Sequence, residues 1–119
     1  MYNYLDYKTE ESEEPSRLMV YISQPMTDRH PKEIELMRKH AEEFVRSHVH
    51  TNTDIRFANG YRESWSPEHM LPIEALGRSI QLLSNAGVAY FCPGWEFSKG
   101  CRIEHLCCQL YDIPIEYIE

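Results

Sequence analysis

The sequence predicts an α/β fold in which a small, mostly parallel sheet of about four strands is flanked by helices. Two continuous, β-prone apolar runs, residues 18–22 and 88–92, are typical of strands buried on both faces. They alternate with segments of helical periodicity, a pattern that indicates βαβ units with right-handed crossovers. A length of 119 residues favours a single core and therefore a single pocket.

The first half of the chain contains two predicted strands and one helix. Residues 18–22 (LMVYI) form the first strand, and Pro31 suits the first turn of a helix that runs to about His48. A short second strand is predicted over 54–58, where the Asn59-Gly60 turn signal ends it. The apolar positions of the helix recur with a 3.6-residue period and are Ile34, Met37, Ala41, Phe44 and Val45.

The second half continues the alternation. A helix is predicted to begin at Pro67, with Ser66 as its N-cap, and to end near residues 85–87. The third strand covers 88–92, a loop at 93–100 leads into a helix from about Cys101 to Tyr111, and a last strand covers 115–118. Residues 59–66 are a candidate lid or pocket wall. The apolar positions of the Pro67 helix are Met70, Ile73, Leu76, Ile80 and Leu83.

Charge and hydropathy exclude several classes of partner. The formal charge is −7 and the pI is about 5.3, the wrong sign for a protein that binds polymeric nucleic acid. No apolar run approaches the roughly 20 residues that span a bilayer, and the N-terminus lacks the pattern of a signal peptide. We therefore expect a cytoplasmic protein with no membrane partner and, at most, a small anionic ligand.

Residues 1–16 are expected to form an acidic arm, separate from a domain at 17–119. This segment holds five carboxylates against one lysine, yet it also contains four side chains that are unusual in a purely solvated tail. We expect a mobile arm able to dock, with a neighbouring subunit as one candidate surface. The four side chains are Tyr2, Tyr4, Leu5 and Tyr7.

The four cysteines, Cys92, Cys101, Cys107 and Cys108, are predicted to be reduced thiols because the chain has neither a CxxC pair nor a secretory signal. Cys101, His105 and Cys108 would share one helix face, which resembles metal-ligand spacing. Cysteine is also among the most buried residue types, and no fourth ligand is evident. We expect no metal and no cofactor.

Two loops should lie beyond the carboxyl ends of the strands, where parallel sheets bind ligands: residues 23–28 and 93–100. The segment Ser98-Lys99-Gly100 opens into a helix, so its N–H groups and the helix dipole would attract an anion. An ordinary N-cap serine and turn glycine explain Ser98 and Gly100 equally well. Glu104 can point into the same cleft, although an acid near a helix N-terminus is also a routine partner of the dipole.

Two segments resemble a known family. YISQPMT at residues 21–27 is similar to the signature YISGPMT, and PGWEFSKGCRIE at 93–104 is similar to PGWExSxGxxxE, both typical of the small DUF4406 proteins. That family is similar to nucleoside 2-deoxyribosyltransferases and deoxynucleoside 5′-monophosphate N-hydrolases. The resemblance covers about residues 17–118. It implies a three-layer, flavodoxin-like Rossmannoid fold and chemistry at the N-glycosidic bond of a nucleoside or nucleotide.

The resemblance also implies roles for individual residues. Glu104 would attack the anomeric carbon and form a glycosyl-enzyme that water or a second base resolves, as in retaining glycosidases. Tyr21 would orient that carboxylate. Trp95 could stack a nucleobase, as could Trp65, or either could close a pocket mouth or an interface. The residues implied to contact the substrate or its 5′-group are Ser23, Pro25, Met26, Gly94, Trp95, Ser98 and Gly100.

The chain departs from the pattern of the active families at the acid that protonates the leaving base. The aspartate that usually precedes the third strand is Gly87 here, and another, about eight residues earlier, corresponds to Ser79. Gln24 replaces the glycine of the first loop. Loss of a general acid costs about 10²–10⁴-fold in rate unless another group substitutes. The candidate substitutes are Glu96, Asp28 and His69.

Three interpretations therefore remain open. The first is an N-glycosidase or deoxyribosyltransferase that uses Glu104. The second is a binding module for nucleotides or nucleotide sugars with weak or no catalysis, in which Lys99 and Arg102 either attract phosphate or are ordinary surface charges. The third is a structural homo-oligomer or adaptor whose tyrosine-containing arm docks on a partner. A homodimer or larger homo-oligomer is expected because the family's members associate.

Overall fold

The computed structural model describes residues 16–58 and 70–119. Within these two ranges the chain forms four strands, three α-helices and one 3₁₀ turn, Trp95–Phe97. The strands are β1 (Ser16–Ser23), β2 (Thr53–Phe57), β3 (Val88–Phe91) and β4 (Ile115–Tyr117). The helices are α1 (Pro31–His48), α2 (Pro72–Leu83) and α3 (Lys99–Leu110).

The four described strands form one parallel sheet in the order β2-β1-β3-β4. The register pairs Val20 with both Phe57 and Val88, and it pairs Phe91 with both Ser23 and Tyr117. The central strands β1 and β3 are the two continuous apolar runs, because a central strand of a covered parallel sheet is buried on both faces. The predicted α/β class with a small parallel sheet is confirmed, and the architecture is that of a small flavodoxin-like Rossmannoid fold.

Helices cover both faces of the sheet and produce three layers. Side chains alternate between the faces along each strand, so each face builds its own core. On one face, α1 and the sheet form a core of Val20, Ile22, Ala41, Val45, Val88, Tyr90, Cys92 and Ile118. On the other face, α2, α3 and the sheet form a core of Tyr21, Leu83, Ala89, Phe91, Cys101 and Cys108.

Several predicted boundaries hold and others are corrected. The helix predicted to run from Pro31 to about His48 is confirmed as α1, and His30 caps it in a capping box with Glu33. Ser16, placed in the arm from the sequence, belongs to β1 because it pairs with Thr53. The third helix begins at Lys99 rather than about Cys101, since Ser98 is its N-cap.

The start of the second helix is the main correction. Met70 was predicted to lie within it, but α2 begins at Pro72 with Leu71 as N-cap. A proline inside a helix removes one hydrogen bond and clashes with the preceding turn, whereas at the first helical position it does neither. The predicted start at Ser66 and Pro67 lies outside the described residues.

Some sequence predictions fall on residues that the structure does not describe. These are the arm at 1–15, the candidate lid at 59–66, Trp65 and His69. None of the described helices is both long enough and apolar enough to cross a membrane.

Candidate functional site

Glu104 lies at the carboxyl-end half of the sheet because α3 begins there. Ser98 caps α3 by accepting a hydrogen bond from the Cys101 N–H at 3.3 Å. From that start, residues 101, 104 and 108 fall on one stripe of the helix that faces the sheet. The stripe therefore carries Glu104 into the core between two buried cysteines, with the glutamate only 5% exposed.

Two hydroxyl groups of β1 hold the Glu104 carboxylate. The Tyr21 hydroxyl donates to Oε2 and the Ser23 hydroxyl donates to Oε1, each at 2.6 Å. Residues 21 and 23 point to the same face of the sheet because side chains alternate along a strand. The 2.6 Å distances are those of hydroxyl groups that donate to an ionised carboxylate. Both carboxylate oxygens are thus fixed in place.

Burial and hydrogen bonding act in opposite directions on this carboxylate. Burial raises the pKa of Glu104 above its usual value of 4.5, and the hydrogen bonds from Ser23 and Tyr21 offset part of that rise. Burial raises the pKa of Tyr21 well above 10.0, and the neighbouring Glu104 charge raises it further. Tyr21 therefore keeps its proton and remains a donor to Glu104.

Ser79 of α2 reaches this group, whereas Gly87 does not. Burial is the main cause that raises the Tyr21 pKa, and a side-chain hydrogen bond with Ser79 lowers it in part. Gly87 lies at the opposite end of β3, where its N–H donates to the Met19 carbonyl at 2.8 Å.

An acid at position 87 would not reach Glu104. Ser23 pairs with Phe91, four residues beyond Gly87 in β3, which is about 13 Å along the strand. A Cβ at Gly87 would also meet the Leu18 side chain at 3.3 Å. Gly87 therefore lies away from the Glu104 carboxylate, whereas Ser79 faces it.

The loops after β1 and β3 meet at Pro25, Gly94 and Arg29. Gly94 has a φ of +89°, and a Cβ there would lie 3.8 Å from Pro25 Cγ and 3.7 Å from an Arg29 Nη. Arg29 forms no ion pair with the described residues. Burial raises the pKa values of the Cys92 and Cys101 thiols, that of Cys92 to about 12. The positive charge of Arg29 lowers both pKa values in part. Sequence reasoning missed Arg29, whose signal is that it is the first cation after β1.

The other residues predicted to contact the substrate do not converge on one point. Pro25 is buried, whereas Met26 is 43% exposed and its carbonyl accepts the Arg29 N–H at 3.3 Å. The neighbour of Gly100 is Leu76 of α2, 3.9 Å from a built Cβ, so Gly100 lies where α2 and α3 pack. Buried Gln24 donates its amide N–H to the Ile34 carbonyl at 3.1 Å and links this loop to α1.

Trp95 belongs to an aromatic cluster at the same edge of the sheet. Its ring stacks on His105, with centroids 4.0 Å apart, and meets the Phe91 ring in a T-shaped contact. A ring nitrogen of His105 lies 2.7 Å from the Tyr117 hydroxyl. His105 therefore occupies one face of Trp95. Sequence reasoning did not identify this partner because the contact depends on how α3 packs beside β4.

Two open cavities flank Trp95. A cavity of about 360 Å³ is lined by Phe91, Trp95, Glu96 and Tyr117, among others, beyond β3 and β4. A second of about 490 Å³ follows the outer surface of α3, and we call it the α3 groove. Glu104 lines neither of them. Besides His105, the α3 groove is lined by Trp95, Lys99, Arg102, Ile103, Leu106 and Gln109.

The cysteines and His105 do not form a metal site. Cys101 and Cys108 are buried in the core, and His105 is stacked on Trp95. Across 16–58 and 70–119, no three metal-binding side chains converge. All four cysteines lie in the described part of the chain and are free thiols, and burial raises the pKa of Cys108 to about 11.

The chain was compared with protein-family models, curated proteins and solved structures. No match was found. The chemistry available to the site therefore follows from its geometry. A carboxylate that is buried, held at both oxygens and raised in pKa is suited to nucleophilic attack or to proton transfer, and perturbed groups of this kind cluster at functional sites.

Proposed function

We propose that this protein breaks the N-glycosidic bond of a nucleoside or nucleotide, by hydrolysis or by deoxyribosyl transfer, with Glu104 as the nucleophile. The observation that carries the proposal is the buried Glu104 carboxylate, held by the hydroxyls of Tyr21 and Ser23 at 2.6 Å each. Folding buries the Glu104 carboxylate in the core, and the two hydrogen bonds orient both of its oxygens. The resemblance of residues 21–27 and 93–104 to the DUF4406 signatures supports the same chemistry.

The reaction would proceed in two displacements. A Glu104 oxygen attacks the anomeric carbon and forms a glycosyl ester, while the bond from that carbon to the base nitrogen breaks; its electron pair goes to the base, which takes up a proton from solvent. Water, or a second base in a transferase, then attacks the same carbon, loses a proton to solvent and releases the Glu104 carboxylate. Tyr21 and Ser23 act as positioning residues that orient the carboxylate for the first attack and donate to it again when the second step releases it.

A 5′-phosphate would be bound beside the N-terminus of α3. Arg29 supplies a cation between the loops after β1 and β3, and the helix N-terminus attracts negative charge. The Ser98 hydroxyl, which caps the helix, and the backbone of residues 23–26 would also contact the phosphate. Arg29→Gln is expected to raise KM for 5′-monophosphates about tenfold and leave KM for the matching nucleosides unchanged. Equal effects on both substrates would remove Arg29 from phosphate recognition.

The second candidate function is a nucleotide-binding or nucleotide-sugar-binding module with weak or no catalysis. The observation that favours it is Ser79, which presents a hydroxyl beside Tyr21 at the position where active relatives carry an acid. Because a general acid contributes about 10²–10⁴-fold in rate, Ser79→Asp is expected to accelerate base release from a slow enzyme. In a pure binding module, Ser79→Asp would bind the same ligands and release no base.

The deciding experiment incubates the wild-type protein and Glu104→Gln with a panel of deoxynucleosides and their 5′-monophosphates, and measures free base by chromatography. Glu43→Gln is the matched control because Glu43 is exposed on α1, across the sheet from the site. We expect base release by the wild type and Glu43→Gln but not by Glu104→Gln. Equal release by Glu104→Gln would refute the nucleophile. Thermal stabilisation by ligand without base release would select the binding module.

We also propose that the protein is a cytoplasmic homodimer or larger homo-oligomer that binds a small molecule rather than polymeric nucleic acid. Leu71 and Ile73, at the start of α2, are 68% and 77% exposed and could be covered by a second copy. Light scattering on the eluting protein measures the mass directly. A particle of 14.1 kDa would limit each site to residues of one chain.

A further inference from the structure

We propose that the acidic N-terminal arm, residues 1–15, binds in the α3 groove of its own chain. The groove combines exposed apolar side chains with positive charge. Ile103 and Leu106 are 41% and 52% exposed along its wall, beside the Trp95 ring. Lys99 and Arg102 also line it, and none of the described residues that line it carries a carboxylate. Elsewhere the charge of this protein is predominantly acidic, with a total of −7.

The two cations stand where a helix disfavours them. Lys99 is the first residue of α3 and Arg102 lies in the same turn, so both face the positive end of the helix dipole. Neither forms an ion pair with the described residues. An anionic occupant would interact favourably with both cations and with the positive end of the helix dipole. An uncharged occupant would leave the repulsion between the cations and the dipole uncompensated.

The arm has the complementary chemistry. It carries five carboxylates against Lys8, so its charge is opposite to that of the groove. Its apolar side chains, three tyrosines and one leucine between positions 2 and 7, flank Asp6. Tyrosines paired with exposed Ile103 and Leu106 would bury apolar surface, and Asp6 would bring a carboxylate to the same stretch.

The arm is also long enough to reach the groove. It ends at Ser16, at the amino edge of the sheet, which is the edge toward which α3 runs. The ten residues from Gln109 back to Lys99 span about 15 Å of helix. Crossing from β1 to the helix layer adds about 10 Å between layers and about 10 Å across two strands. Fifteen extended residues cover about 50 Å, so the arm can enter beside Gln109 and end near Trp95.

The test uses the full chain with a photoreactive benzoylphenylalanine in place of Tyr4, irradiated and then mapped by mass spectrometry. We expect crosslinks to residues 95–109 in a product with the mass of one chain, 14.1 kDa. A crosslink to the same residues at twice that mass would overturn binding within the chain and identify a second copy as the occupant. Crosslinks elsewhere, or none, would overturn the proposal altogether.

Charge reversal tests the recognition. Arg102→Glu is expected to lower the crosslink yield about fivefold, the size expected for loss of a surface ion pair. Lys39→Glu is the matched control, because Lys39 is exposed on α1 across the sheet, and its yield should be unchanged. Leu106→Ser gives an independent reading of the apolar contact and should also lower the yield. Unaltered yields in both groove variants, with circular dichroism like that of the wild type, would contradict the proposal.

Discussion

Glu104 is the only carboxylate that is buried among the described residues, and its chemistry depends on two hydroxyls. An isolated buried charge is expensive, and hydrogen bonds to the charged form recover part of the cost. The remaining cost appears as the raised pKa of Glu104. A carboxylate held in this state is more basic than one in water, which favours attack on carbon.

The stability of the protein should depend on pH through Glu104. The folded pKa lies above the ordinary value of 4.5, so between the two values the folded protein binds more protons than the unfolded chain. The free energy of unfolding of the wild type should therefore fall as pH rises from about 4.5 through the folded pKa and level off above it. Urea unfolding of Glu104→Gln should lack this fall; an identical slope would assign it to other groups.

The pH dependence of catalysis should carry the same signature. If ionised Glu104 is the nucleophile, kcat/KM should rise with pH along an acid limb whose midpoint lies above 4.5. Tyr21 contributes no alkaline limb near neutral pH because its pKa is raised well above 10.0. An acid limb at or below 4.5 would disagree with the buried carboxylate as the reacting group.

Removing either hydroxyl should slow the reaction rather than weaken binding. Tyr21→Phe and Ser23→Ala each delete one hydrogen bond to an ionised group, and such bonds are worth about 1.5–3 kcal/mol. We expect kcat to fall about 10- to 100-fold with KM little changed, and the midpoint of the acid limb to move up, because each hydrogen bond lowers the Glu104 pKa. A rise in KM alone would instead make these hydroxyls substrate ligands.

At the scale of elements, the site is assembled where β1, α2 and α3 meet. β1 supplies Tyr21 and Ser23, α3 supplies Glu104, and α2 supplies Ser79. The turn between β3 and α3 fixes the start of α3 through Gly94, whose positive φ precedes the 3₁₀ turn, and through the Ser98 cap. A change of one residue in this start would rotate Glu104 out of the core.

Two glycines should respond oppositely to alanine. Gly94 has a φ of +89°, a conformation that costs an L-residue about 1–2 kcal/mol, so Gly94→Ala should destabilise the protein by about that amount. Gly77 is exposed inside α2 with nothing within 4 Å of a built Cβ, so Gly77→Ala should stabilise by about 1 kcal/mol through helix propensity. Thermal unfolding of the two variants measures both signs, and equal signs would contradict the assigned backbone conformations.

At the scale of the whole molecule, the sheet separates two cores, and no buried side chain in the described part of the chain belongs to both. Val45 belongs to the core under α1, and Leu83 belongs to the core under α2 and α3. The site belongs to the second core through Tyr21 and Cys101. Substitutions in the first core should therefore change stability while leaving the geometry around Glu104 intact.

The costs of truncating the two cores should add. We expect Val45→Ala to cost about 1.5–3 kcal/mol and Leu83→Ala about 2–5 kcal/mol in free energy of unfolding. The helices that carry them lie on opposite faces of the sheet, so the double variant should lose the sum within about 0.5 kcal/mol. Urea unfolding measures all three. A large deviation from the sum would show that the layers are coupled through the sheet.

The sequence by itself determined the α/β alternation, the central strands and α1, because continuous apolar runs, a 3.6-residue period and Pro31 are local signals. It also singled out Glu104, Tyr21 and Ser23 through two short motifs. It misplaced the start of α2 because the proline at 67 matched the same rule as Pro72, where α2 begins.

Only the tertiary structure decided which of these residues meet. Tyr21 and Glu104 are 83 positions apart in the sequence. Strand pairing and the rotation of α3 bring them together, and a local pattern encodes neither. The same packing puts Ser79 next to Tyr21 while leaving Gly87 at the far end of β3, brings Arg29 beside Gly94 and stacks Trp95 on His105. Local sequence patterns indicate which residues are candidates for the site, whereas the packing of the sheet and helix layers sets the distances between those residues.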